Sequence, residues 1–401
     1  MSSKLHYFNP GHETAVWAGN ACYTAPASVC RMTADLSLLP LWYGDTGDYV
    51  LVDKTTEATQ FLSSLPSSLL PPVMPVSLSE PAHRIAETGD RVEAAPWGLS
   101  PQSARLFESL RKQITTLATL PFQETHIRLT GRRTAAECLH RVRTLLPEMQ
   151  APALPCFCTT PDEIRHFMAA YHPPFLLKMP YSCSGRGLYR LTKNELDEPA
   201  LRWIGGALKR QNEVSIEQAL DKVCDFAMEF ISDGNGQTDY VGLSVFNTQP
   251  KGAFDSCLLG SPDFLESKLL SCVSDTLLWE VRKAVATALT ETFGSLYKGY
   301  LGVDMLIYRH AGTFAVHPVV EVNLRYTMGL VALQLSRRWI HPATRGQLVI
   351  ACDYGGVARK SHQEMKRNCP LTLEDGKIRA GYFSLCPVTS ETQYRAYVLA
   401  G

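Results

Sequence analysis

The chain has 401 residues, 45% of them apolar and 19% charged, which is ample for two or three cores of an ordinary globular protein. Lys plus Arg and Asp plus Glu both number 39, so no net charge points to nucleic acid or an anionic membrane. The start, Met-Ser-Ser-Lys-Leu-His-Tyr-Phe, lacks an apolar leader and no apolar run approaches membrane-spanning length, so a cytoplasmic location is expected. The twelve cysteines are scattered, and Cys156 and Cys158 form the one close pair without further ligands, which reads as buried free thiols in a reducing compartment rather than zinc.

Residues 4–8 read as a first strand that runs into Asn9-Pro-Gly-His-Glu13, where Pro10 and Gly11 force a turn. Beyond the carboxyl end of a strand is where open α/β sheets hold ligands, so His12 and Glu13, with Asn20 and Tyr23 in the same loop, are candidate site residues. The alternative is that they only satisfy backbone groups in a long turn. No Gly-x-Gly-x-x-Gly follows, which argues against a dinucleotide domain. Residues 27–39 carry a helical pattern, 48–52 a strand, 57–65 a short helix and 65–81 a Pro-rich irregular connection. Ser100-Pro101 gives a cap and an N1 proline to a helix through about Arg111. Up to about residue 120 this makes a small α/β domain.

A helix is expected over 130–146, capped by Thr130, then a strand at 155–158 and a helix from Thr160-Pro161. The segment Phe175-Leu-Leu-Lys178 is an apolar strand ending on a lysine. A polar loop with Ser184, Gly185, Arg186 and Gly187 follows, and a strand returns over 188–191. Glycine lets a backbone close over polyphosphate, and the lysine adds a point charge; a plain surface hairpin with a glycine turn is the competing reading. It is not a Walker A loop. Strands follow at 214–220, 224–231 and 240–247, the last two joined by Asp233-Gly-Asn-Gly236. Residues 274–293 give the clearest helix. Strands 302–308 and 317–324, joined at His310-Ala-Gly312, should pair as an antiparallel hairpin. After about 330 come a helix and an ill-defined tail with one strand at 380–385.

Asp304 lies in an otherwise apolar strand, and Glu321 and Asn323 share one face of its partner by the period of two. Two carboxylates and an amide oxygen are hard donors suited to Mg²⁺ holding nucleotide phosphates. Acidic residues in buried strands are costly unless compensated, which favours a metal site over chance. Arg325, two residues on, is placed to stabilise charge on a transferring phosphoryl group.

With Lys178 followed by Gly187 in Ser184-Gly-Arg-Gly-Leu, with Ile216-Glu-Gln-Ala-Leu220, Asp225, Gly302-Val-Asp304 and Glu321-Val-Asn323-Leu-Arg325 in that order, residues 125–345 resemble the ATP-grasp superfamily, which includes biotin carboxylase and the D-alanine–D-alanine ligases. The resemblance implies an α/β and α+β architecture: two α+β lobes clasping ATP, at 121–216 and 217–345, after a small α/β pre-ATP-grasp domain over 1–120, with a C-terminal segment at 346–401. It implies ATP bound by Lys178, the loop residues Ser184, Gly185, Arg186 and Gly187, the Glu217 side chain, backbone of Gln218, Ala219 and Leu220, and Asp225 on the ribose. Mg²⁺ would sit on Asp304, Glu321 and Asn323, with Lys178 and Arg325 serving catalysis. Three departures stand out. The family's second lysine is replaced within Gly131-Arg-Arg-Thr134, so Arg132 or Arg133 substitutes; the loop carries Tyr181, Ser182 and Cys183; and Leu324 replaces a common proline. The implied activity is an ATP- and Mg²⁺-dependent carboxylate–amine ligase working through an acyl phosphate. Its partners would be small molecules, a carboxylate and an amine. A phosphotransferase of the same fold and a non-catalytic nucleotide-binding protein are the alternatives.

Overall fold

The structure is a computed structural model that describes residues 2–77, 85, 91–182, 187–249 and 252–401. Its chain divides into two compact units: residues 1–123, 255–265 and 325–401 form the first, residues 124–254 and 266–324 the second.

In the first unit, five strands lie in the order Met74–Ser77, Tyr49–Val52, Ser3–Tyr7, Val92–Pro96, Leu117–Ala118, every neighbouring pair parallel. Tyr49–Val52 is buried along its whole length, as a parallel strand covered on both faces requires. Chain order reverses around Ser3–Tyr7, so the crevice beyond its carboxyl end is where such a sheet holds ligands. Met74–Ser77 and Val92–Pro96 occupy ground that the Pro-rich composition suggested was irregular or left unread. Pro75 sits in an edge strand, where a missing N–H is tolerated. The Asn9–Glu13 turn is shorter than expected, because helix His12–Ala18 begins within it on Gly11. Ser100 caps helix Pro101–Arg111 as expected, in a capping box with Ser103.

The tail is not ill-defined. Strands Gly346–Cys352, Tyr394–Ala400, Lys377–Ser384 and Thr372–Glu374 are successive neighbours, and Ser256–Leu259 pair antiparallel with Gly346–Val349. Helices Met328–Arg338 and Val357–Asn368 accompany them. Buried Trp42 joins this part to the start of the chain: its indole N–H donates to the Leu385 carbonyl at 2.7 Å. Its ring meets Trp339 and Phe383 edge-on.

In the second unit, Cys156–Cys158, Val214–Gln218, Phe175–Lys178 and Leu188–Leu191 form an antiparallel sheet in that order. Helices Pro161–Ala170 and Glu198–Gln211 cover it through Ile164, Phe167, Ile204 and Ala207, packed on Phe175, Leu177 and Ile216. The second of these helices was unforeseen, as was Pro262–Leu270, whose amphipathic pattern is weak. A second sheet runs Thr313–Asn323, Lys298–His310, Asp221–Asp233, Thr238–Thr248, all antiparallel. The expected hairpin is present. Ala311 at φ +48 and Gly312 at φ +81 give a tight turn with both central residues left-handed, which matches strand twist. Thr130 does not cap the next helix: it closes the short helix Thr125–Thr130, its hydroxyl donating to the His126 carbonyl, and Gly131 precedes Arg132–Leu145. Cys156 and Cys158 have sulfurs 3.8 Å apart, and all cysteines among the described residues are free thiols. Among the described residues no helix is long and apolar enough to cross a membrane.

Candidate active site

Lys178 ends strand Phe175–Lys178, opposite Leu188 on one side and Ser215 on the other. The strand buries Phe175 and Leu177 in the core, and Lys178 is itself almost fully covered. A buried ammonium needs a partner. Glu217 supplies it, with Oε1 2.5 Å from Nζ. Of the expected loop, Ser184, Gly185 and Arg186 lie outside the described residues. Gly187 is described, and a Cβ there would fall 2.5 Å from that of Ser182, so the loop's two ends approach too closely for any side chain. The Gly187 carbonyl accepts from the Met179 N–H at 2.8 Å. Gln211 holds the loop's start, accepting from the Tyr181 N–H and donating to the Tyr181 carbonyl, a contact that its position at a helix C-terminus gave no means to foresee.

The two arginines at 132 and 133 part company. Arg133 is half exposed, donates to Glu213 Oε2 at 2.8 Å and covers the Phe157 ring. Arg132 is mostly buried. Its Nε donates to the Met179 carbonyl at 3.0 Å, and its terminal nitrogen reaches Ser182 Oγ at 3.3 Å and Glu321 Oε1 at 3.2 Å. One guanidinium thus ties the lysine strand, the loop and the acidic hairpin together.

On that hairpin Asp304 stands directly opposite Glu321, and Asn323 opposite Gly302. Directly opposed residues project to one face, so all three expected oxygen donors share it. Asp304 and Glu321 are partly exposed, while the intervening Val303 and Met305 enter the core. Among the described residues no group of three or more His, Cys, Asp or Glu side chains is arranged for a metal. The set here is two carboxylates and an amide, whose hard oxygens fit Mg²⁺ completed by phosphate and water. Two residues on this face were not anticipated. Glu229, opposite Gly302 from the other side, is buried and accepts from Ser244 Oγ at 3.4 Å. His317 is buried with Nδ1 lacking a hydrogen bond. Burial, aided by the Lys178 charge and opposed by that of Glu217, brings its pKa down to about 4, so it is a neutral imidazole at pH 7.

In the hinge, Gln218 ends its strand opposite Phe175, the Ala219 N–H donates to the Pro174 carbonyl at 2.8 Å, and the Leu220 carbonyl accepts from Lys222. Asp225 accepts from Thr248 Oγ1 at 3.0 Å and pairs with Lys222.

In the first unit, Asn9 and Gly98 follow the two adjacent strands at the chain-order reversal. The Asn9 amide donates to the Gly98 carbonyl at 2.7 Å and accepts from its N–H at 3.2 Å. His12 rests directly on Gly98. Buried Glu13 bridges two cations or donors: Arg325 Nε donates to Oε1 at 2.6 Å, and His12 Nδ1 lies 3.2 Å from Oε2. Burial pushes the Glu13 carboxyl up, but His12 and Arg325 outweigh it and hold it well below the usual range. Arg325 lies past the end of strand Thr313–Asn323. A cavity of about 190 Å³, lined by Asn9, His12, Thr33, Asp53 and Gln102, opens beside this cluster. Tyr23, named with that loop, donates to Thr14 Oγ1, and the Asn20 side chain accepts from the Cys22 N–H.

No protein-family model matches the sequence, and no curated protein sequence matches it either. Solved structures do. The biotin carboxylase–βγ-ATP complex of Campylobacter jejuni superposes over 100% of this chain and 88% of its own, with a TM-score of 0.55 at 10% identity. The biotin carboxylase domain of the Hydrogenobacter thermophilus 2-oxoglutarate carboxylase, in complex with MgADP, ADP and bicarbonate, covers 100% and 86%, with a TM-score of 0.50 at 13% identity. The likeness is one of fold, and it runs the whole length of the chain.

Proposed function

From a chain that has the ATP-grasp fold, we propose an ATP- and Mg²⁺-dependent ligase that activates a carboxylate as an acyl phosphate for attack by an amine. The observation that carries this reading is the guanidinium of Arg132, which joins the Lys178 strand, Ser182 and the Glu321 face into one polar surface. The reading divides the chain into a pre-ATP-grasp domain at 1–120, two lobes at 121–216 and 217–345, and a C-terminal segment at 346–401.

Lys178 and Arg132 bind phosphate oxygens. Arg132 takes the place of the family's second lysine, leaving Arg133 to its pair with Glu213. Asp304, Glu321 and Asn323 would hold Mg²⁺, which would neutralise charge on the phosphates. Glu217, Gln218 to Leu220 and Asp225 hold the nucleoside. The carboxylate oxygen of the substrate takes the γ-phosphoryl group and ADP departs. The amine nitrogen then forms a bond to the acyl carbon as the C–O bond to phosphate breaks. No side chain need form a covalent intermediate, so the protein's part is orientation and charge placement. Glu13 keeps Arg325 oriented.

Purified protein with ATP and Mg²⁺, screened against pooled carboxylic acids and amines, should release ADP and phosphate in equal amounts together with a new amide. A phosphorylated acceptor without free phosphate identifies the phosphotransferase alternative. No turnover with any pool, alongside measurable ATP binding, identifies a nucleotide-binding protein.

A further inference from the structure

Apart from the polar surface around Lys178 and the Glu13 cluster, the first unit contains a larger cavity, about 390 Å³. It lies between helix Thr55–Ser63, helix Val357–Asn368 and the segment that follows strand Lys377–Ser384. That volume falls within the range of small-molecule sites and equals about a dozen waters. Phe61, Leu65, Leu371, Phe383 and Val388 give it apolar walls. A dozen waters against such walls are poorly hydrogen-bonded and readily displaced by an apolar group.

One wall is different. His362 and Lys366, four residues apart, occupy one face of their helix and both line the cavity. The imidazole is fixed by a 2.8 Å hydrogen bond between Nδ1 and the Tyr382 hydroxyl. Burial, with the charges of Lys366 and Arg395, pushes it down to about 4, so it is uncharged at neutral pH and sits in a positive local potential. The opposing acid is Glu57, whose Oε1 lies 3.4 Å from Lys54 Nζ and is to that extent already matched. The Cys386 thiol, also lining the cavity, is pushed up by burial and adds no charge.

We propose that this cavity binds a small carboxylate with an apolar body, the carboxylate against Lys366 and His362 and the body against Phe61, Leu65 and Val388. None of these residues belongs to the nucleotide-facing surface, so the site is separate from the proposed chemistry and does not rest on it.

The test is calorimetric titration of the full chain with 3-phenylpropionate, with 3-phenylpropanol as the uncharged control, each with and without saturating ATP and Mg²⁺. The acid should bind at least fivefold more tightly than the alcohol, with or without nucleotide. Lys366→Ala, a change at an exposed position, should erase that preference, and Lys366→Arg should keep it. Val388→Trp, which fills the cavity, should abolish binding of both compounds with the melting temperature held. Equal affinity for acid and alcohol, displacement of the acid by ATP, an unchanged preference in Lys366→Ala, or no binding at all would each overturn the proposal.

Discussion

Lys178 and Glu217 form a covered ion pair inside a small sheet, and such pairs seldom add to stability once desolvation is counted. A pair kept in spite of that is better explained by what the cation does next. Replacing Lys178 with Ala should cut nucleotide affinity by roughly ten- to a hundredfold, about the value of a charge-assisted hydrogen bond, while the far-ultraviolet dichroism stays native. Calorimetry with the wild-type affinity would remove Lys178 from any role on phosphate. Glu321 works in the other direction. It already faces Asp304 and is engaged by Arg132. Glu321→Gln should reduce Mg²⁺-dependent turnover to background yet leave metal-free ATP affinity intact or slightly raised, since one negative charge beside the phosphates is gone. Wild-type turnover in that variant would dispose of the metal site and of the acyl-phosphate route with it.

Elements were readable where their pattern was local. The hairpin carrying Asp304, Glu321 and Asn323 follows from alternation plus an Ala-Gly turn, and the Lys178 strand from an apolar run ending on a polar loop. Helix Glu198–Gln211 escaped because Gly205 and Gly206 interrupt it, although Asp197 caps it and Pro199 sits in its first turn. The tail escaped for another reason: strands such as Gly346–Cys352 are apolar in sequence yet only partly covered, and they are held by neighbours some way along the chain, Tyr394–Ala400 among them. At the site, residue types were legible and partnerships were not. Nothing in Gly131-Arg-Arg-Thr134 says which arginine turns inward; that depends on which face of the helix meets Met179 and Ser182. The Asn9 clamp on Gly98 is equally non-local, and it yields a prediction. A Cβ at residue 98 would fall 2.3 Å from the His12 ring. Gly98→Ala should therefore cost about 1–3 kcal/mol, the usual penalty for overpacking. Chemical denaturation reads it; an unchanged midpoint would mean that the turn yields freely.

For the whole molecule the buried or partly covered imidazoles set the acid limit. His6, paired with Asp48 at 3.0 Å, is lowered chiefly by burial, as are His317 and His362. Each is neutral when folded but takes a proton when unfolded below about pH 6.5, so stability is full above that value and falls as the pH drops toward their folded pKa values. His317 alone accounts for roughly 3 kcal/mol of loss by pH 4. The depressed carboxyls of Asp48 and Glu13 contribute further loss only below the ordinary carboxylate range. Denaturant midpoints from pH 8 to 4 should decline mostly below 6.5. His317→Gln should flatten the decline, and an unaltered slope would show that residue 317 is not kept neutral in the folded chain.

The hydrogen bond from Trp42 to Leu385 spans 343 residues, and that span has a cost during biosynthesis. The parallel sheet of the first unit emerges early from the ribosome, but the surface under Trp42 is completed only when the last strands arrive. At ordinary elongation speeds the delay is on the order of tens of seconds, far longer than apolar collapse needs. Throughout it the nascent chain carries a bare indole whose later neighbours, Trp339 and Phe383, are still missing, which is the kind of surface that holding chaperones recognise and that crowded polysomes make hazardous. Closing that bond is thus a late event, and the yield of native protein in the cell should depend more on how the waiting N-terminal segment is shielded than on how quickly its own helices and strands form.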